Sequence, residues 1–137
     1  MLNELWHDSF HGLIPKEKYA MHLTQGEETG LVIRLEGRQH NVNLNFGIAH
    51  GVNILDEGVL LRDPPGVTYP SEAELRRTGY PSTLYYVENG AYSAYIQACM
   101  STELYEALRL RQYNLVTASY VVEIICSREP DVSVTRS

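Results

Sequence analysis

Apolar and polar positions alternate strictly at two places in the first half of the chain. Ile33 and Leu35 alternate with Arg34 and Glu36, and Val42, Leu44, Phe46 and Ile48 alternate with Asn43, Asn45 and Gly47. A period of two marks a strand with one buried face and one wet face. The link Gly37-Arg38-Gln39-His40-Asn41 has the length and residues of a hairpin loop. Gly47 and Gly51 predict a bulge or bend, and Gly26-Glu27-Glu28-Thr29-Gly30 predicts an exposed turn. Residues 1–29 are otherwise the least patterned part, with Pro15 placed to open a short helix over Lys16–Met21. Val59-Leu60-Leu61 reads as a short strand, and Asp63-Pro64-Pro65-Gly66 as an internal loop.

The second half carries stronger punctuation. Ser71 and Glu74 make a capping box for a short helix through Arg77. Asn89-Gly90 favours a type I′ turn and predicts a hairpin pairing Val87 with Tyr92, Tyr85 with Ala94 and Thr83 with Ile96. Its less apolar face would carry Leu84, Tyr86, Ser93, Tyr95 and Gln97. Ser101 or Thr102 is placed to cap a helix from Glu103 to about Gln112, ended by Asn114. Leu115 to Cys126 then reads as one long strand, with Val132 and Val134 on a short edge strand after Pro130. Five to seven strands joined mostly by hairpins, with two or three short helices, predict an α+β fold built on antiparallel sheet, the helices against one face, or a small sandwich. With 137 residues, one domain over 1–137 is expected.

Composition narrows the partners. The net charge is −6. An acidic surface repels phosphate backbones, which disfavours nucleic acid, and it speeds encounter with basic proteins. No apolar run reaches the ~20 residues that span a bilayer. The first residues lack a basic region and a long apolar core, so no secretory signal is read and the cytoplasm is the expected location.

Candidate chemistry is sparse. His7 and His11 stand four apart, but no third ligand is indicated and no metal is expected. Cys99 and Cys126 lie in apolar surroundings and read as core cysteines without a disulfide. Asp56-Glu57 and Asp63 lack the alternating oxygen ligands of a calcium loop. No phosphate loop, nucleophile elbow or dinucleotide fingerprint is present, so neither an enzyme nor a cofactor is expected. The remaining signal is tyrosine: there are ten, and Tyr80, Tyr85, Tyr86, Tyr92, Tyr95, Tyr105, Tyr113 and Tyr120 cluster in one stretch. Tyrosine makes good strands, and it is also enriched where proteins bind proteins. Tyr86 and Tyr95, with the acidic turns Glu27-Glu28 and Asp56-Glu57, are the expected partner-binding residues. A pocket near His40, His50 and Glu57, serving a small molecule or a minor enzyme, is the alternative.

The stretch Val42-Asn43-Leu44-Asn45-Phe46-Gly47-Ile48-Ala49-His50-Gly51-Val52-Asn53-Ile54-Leu55-Asp56-Glu57-Gly58 resembles a strand–bend–strand pattern of small bacterial proteins. In size, acidity and lack of a catalytic motif, the whole chain is similar to immunity proteins of contact-dependent and polymorphic toxin systems. That resemblance implies a non-enzymatic inhibitor of a basic toxin domain such as a nuclease. It carries no functional residue over.

Overall fold

Two antiparallel sheets share one apolar layer. The computed structural model describes residues 3–8, 10, 12–56 and 81–137. Within these, the strands are β1 (Leu5–His7), β2 (Ala20–Gly26), β3 (Gly30–Glu36), β4 (His40–Gly47), β5 (Ala49–Asp56), β6 (Leu84–Glu88), β7 (Arg111–Val116), β8 (Tyr120–Cys126) and β9 (Asp131–Arg136). Two helices, α1 (Ala91–Cys99) and α2 (Thr102–Leu108), separate β6 from β7. One sheet runs β1-β6-β7-β8-β5 and the other β2-β3-β4-β9. The α+β, antiparallel expectation holds, in its sandwich form. The strand expected at Val59–Leu61, the loop at Asp63–Gly66, the helix from Ser71 to Arg77, and residues His11 and Glu57 lie outside the described residues.

The alternating runs fix which side of each strand meets the core. Leu31, Ile33 and Leu35 from β3 and Val42, Leu44 and Phe46 from β4 are buried against Leu84, Tyr113, Leu115, Val122, Ile124 and Cys126 of the facing sheet. Tyr113 anchors this layer, with its ring centroid 6.2 Å from Phe46, 5.9 Å from Phe10 and 5.8 Å from Tyr86. Each large apolar side chain so buried contributes about 1.5–3 kcal/mol. β9 is the edge strand that its valines predict, pairing Val134 with Val42 and Val132 with Leu44.

Tertiary contacts overrule three local expectations. Lys16–Met21 is not helical: the chain runs extended because Tyr19 belongs in the core, where its hydroxyl donates to the Pro15 carbonyl at 2.5 Å. The long strand from Leu115 is cut in two. Thr117 Oγ1 accepts from the Tyr120 N–H at 3.1 Å and closes a tight turn, so β7 and β8 pair with each other. α2 also ends early, at Arg109 in the left-handed region (φ 51°), which lets β7 start at Arg111 rather than after Asn114.

Glycine is required where β3 meets the end of β4. Gly30 and Gly47 both have positive φ, and a Cβ on Gly30 would stand 2.3 Å from the Gly47 carbonyl oxygen. Gly12 shares the positive φ but has nothing within 4 Å of such a Cβ. Gly30→Ala is therefore expected to lower stability in urea unfolding by about 2–3 kcal/mol. Gly12→Ala should cost only the left-handed backbone term, about 1 kcal/mol.

Glu17 ties the extended segment to the β3–β4 turn. Its Oε1 accepts from the Gln39 N–H at 2.9 Å, and its Oε2 lies 2.5 Å from His40 Nδ1. The Gln39 amide first, and then His40, hold the carboxyl below its usual value against the opposing pull of desolvation. The folded protein therefore binds fewer protons at this group than the unfolded chain. The resulting stability is complete above the unfolded value near 4.5 and is lost as pH falls through the folded pKa. Melting temperature measured against pH should drop less steeply below about 4.5 in Glu17→Gln than in the parent.

Candidate functional site

α1 lies against the outer face of the five-stranded sheet, and it replaces an expected hairpin. Asn89 has φ 56°, but Gly90 has φ −67° and ψ 140°, so the two positive φ values of a type I′ turn are absent. β6 already pairs with β1 on one side and β7 on the other, leaving no open edge for residues 92–96. Ala91, Ala94 and Ala98 recur at helical spacing in the best helix-forming residue, and the chain turns into α1. Gly90 is its N-cap residue.

Beneath α1 the sheet presents a polar row. Register puts Asn114 opposite Tyr85 and Glu123 opposite both Asn114 and Asn53. Asn53 Nδ2 donates to Glu123 Oε1 at 2.8 Å, and Gln112 Nε2 donates to Asn114 Oδ1 at 2.9 Å and to Glu123 Oε2 at 3.4 Å. Gln112 Oε1 accepts from the Ser93 N–H at 3.0 Å, so the row reaches the first turn of α1. Gln112, Asn114 and Glu123 are all buried. A buried carboxylate costs several kcal/mol unless satisfied, and here two carboxamides donate to it.

Glycines seat the helix on this face. A Cβ on Gly51 would stand 2.7 Å from the Tyr92 hydroxyl, and one on Gly90 would stand 2.1 Å from Gln112 Oε1. Tyr92 is half-buried, and desolvation first, then the Glu123 charge, raises its pKa. Beside this row, Trp6, Tyr85, Val87 and Val121 form a second, smaller apolar cluster.

Where α1 and α2 meet the ends of β6 and β7, a cleft of about 580 Å³ opens. Its walls include Glu4, Tyr86, Glu88, Ser93, Tyr105 and Arg111, with Gln112 among the buried lining. Ser93 Oγ and the Tyr105 hydroxyl lie 3.4 Å apart. The Ala91 N–H donates to Glu4 Oε1 at 3.4 Å, and His7 Nε2 is 3.1 Å from Glu88 Oε2. Arg111 Nη1 donates to the Tyr113 hydroxyl at 3.4 Å, a bond that raises the Arg111 pKa further.

The residues singled out from the sequence do not form one patch. Tyr95 is 63% exposed on α1 and stacks on Tyr92 at 6.5 Å, while Tyr86 is half-buried against Tyr113 on the inner face of the sheet. Glu27 and Glu28 are exposed in the β2–β3 turn, near the Ala49 end of β5, whereas Asp56 ends β5 at its other end. His40 opens β4 and is held by Glu17, and exposed His50 lies beyond the far end of β4. The two histidines thus stand at opposite ends of β4, and Glu57, the third residue of that expected pocket, lies outside the described residues. Cys126 is buried, with desolvation pushing its thiol up to about 11. Cys99 is exposed at the end of α1, because the strand expected to bury it is a helix. Among the described residues no three metal-ligating side chains cluster, and no helix is long and apolar enough to cross a membrane.

Sequence reasoning missed Gln112, Asn114, Glu123 and the cleft. The available signal was polar residues at alternate positions in otherwise apolar strands. No known protein family, characterised protein or solved structure matches the chain.

Gln112 joins the backbone of α1 to the sheet's polar row. Gln112→Ala should lower stability by about 1–3 kcal/mol, since it leaves buried partners unpaired. Hydrogen exchange should then quicken first at the Ser93 to Ile96 amides, ahead of the core strands.

Proposed function

We propose that this chain is a non-enzymatic protein-binding domain, and that its partner is a basic protein. The specific reading is an immunity protein that neutralises a toxin domain such as a nuclease in the bacterial cytoplasm. One observation carries the binding reading. Neither helix has a buried residue, and together they expose Tyr95 (63%) and Leu104 (49%). α1 has no charged side chain, and its outer positions Ala91, Ala94 and Ala98 are exposed beside Tyr95. An apolar helix surface left in water, with a large tyrosine at its centre, is what an interface anchor needs.

The net charge of −6 supports the sign of the partner. Exposed acidic groups such as Glu27, Glu28 and Asp56 are too scattered to form an interface, and they act on the rate of encounter rather than on affinity. Tyr86, half-buried and packed on Tyr113, supports the fold beneath the surface more than the surface itself.

The test uses the protein that co-purifies from the native host. Its association rate should fall between low and moderate salt, since screening acts over ~10 Å at about 0.1 M. Tyr95→Ala should weaken the complex by about 2 kcal/mol or more. Being exposed, the substitution should leave unfolding within about 0.5 kcal/mol of the parent. A salt-independent rate, with Tyr95→Ala binding like the parent, would remove the basis of the reading.

A further inference from the structure

The edges of the two sheets differ in how they are guarded. An edge strand presents unpaired N–H and C=O groups, and proteins blunt such edges with shortness, charge, proline or bulges. Among the described strands, β1 and β5 border one sheet and β2 and β9 the other. β1 is only three residues long. β5 breaks register between Ala49 and Gly51 and ends in Asp56. β9 follows Pro130, opens with Asp131 and closes with Arg136. β2 has none of these devices. It holds no carboxylate, lysine, arginine or proline, and its pairing with β3 runs unbroken from Ala20 to Gly26. His22, Thr24 and Gln25 are exposed along it, and Met21 and Leu23 are only partly buried at the margin of the apolar layer.

We infer that β2 is a self-association edge, where a second copy of this chain adds its own β2 antiparallel and joins the two four-stranded sheets into one. Charge names the occupant. Exposed Lys16 and Lys18 precede the strand, and exposed Glu27 and Glu28 follow it. A two-fold antiparallel pairing over the whole strand sets Leu23 against Leu23 of the second copy and His22 against its Thr24. The same register carries Glu28 of each copy to the level of Lys18 in the other, once at either end of the interface. Glu17, the acid between the lysines, is already engaged by the Gln39 N–H and His40. His22 and Arg34 both lie 3.4 Å from Glu36, so these charges are matched within one copy. Over the rest of the surface the net charge of −6 repels a second copy, and the uncharged edge lets it approach. Backbone hydrogen bonds and the covering of Met21 and Leu23 supply affinity, while the end charges fix direction and register. This inference does not rest on the partner proposed above: Tyr95 stands on α1 over the other sheet.

The test is sedimentation equilibrium of the full chain at low salt, with hydrogen exchange at low and high protein concentration. One strand pair is a small interface, so a reversible dimer half-formed at about 100 μM is expected. Exchange should slow with concentration at amides between Ala20 and Gly26. Lys18→Glu and Glu28→Lys move the net charge in opposite directions, yet each should weaken the dimer about tenfold. Combining the two should restore it to within about twofold of the parent. Thr24→Lys guards the exposed edge and should weaken the dimer at least about tenfold, with the unfolding midpoint and binding of the native partner unchanged. A chain monomeric at about 500 μM overturns the inference. So does a dimer whose protection falls on α1 or another strand, or one that the two single swaps shift in opposite directions as net charge alone dictates.

Discussion

The whole arrangement depends on the apolar layer between the two sheets, and on Tyr113 within it. Its ring fills the space between Phe10, Phe46 and Tyr86, and its strand, β7, is third of the five in its sheet. Once Tyr113 faces inward, pleating sends Gln112 and Asn114 outward. The outer face of that sheet is thus polar in its middle, yet this middle is buried. Glu123 and Asn53 answer with a carboxylate and a carboxamide in the same rows. The polar row is a consequence of placing the tyrosine, and it must be roofed by something that shares hydrogen bonds with it.

α1 is that roof, and its weak burial follows from its task. A helix over an apolar sheet would bury an apolar stripe. Over a polar row it needs close backbone approach, which Gly51 and Gly90 permit, and hydrogen-bond partners, which Gln112 supplies at Ser93. Tyr92 and Ile96 are the side chains that reach Gly51, and both stay partly exposed. The rest of α1 is left in water, with Tyr95 outermost. The cleft opens beside this seat, along the first turn of α1.

The strands that alternate were legible because one face is buried and the other wet. Val42 to Gly47 shows this, and so do the hairpin at Gly37 and the bends at Gly47 and Gly51, where glycine has a steric reason to be present. Legibility failed where a local signal was met by a non-local demand. Asn89-Gly90 reads as a hairpin turn in isolation, but β1 and β7 flank β6, pairings that join residues 79–83 and 25–31 positions apart along the chain. Ser101 read correctly as a cap, since the bond from the Leu104 N–H to its hydroxyl is purely local. Cys99 misled because its apolar neighbours were assigned to a strand. The site was harder still: a cleft joining Glu4 to Tyr105 has no signature in spacing, since its walls come from β1's approach, β6, β7 and both helices.

Charge and apolar contact occupy different parts of this molecule, and their magnitudes explain why. Exposed ion pairs contribute at most about 1 kcal/mol each, whereas a desolvated aromatic anchor contributes about 2 kcal/mol or more. The scattered carboxylates of the turns therefore set a field that extends beyond contact, and they need not touch a partner to act. On the proposed binding reading, affinity concentrates instead on the uncharged helix that carries Tyr95, where an aromatic ring loses its water on contact. On that division, reversing the charge of the turns slows association, while altering Tyr95 speeds dissociation.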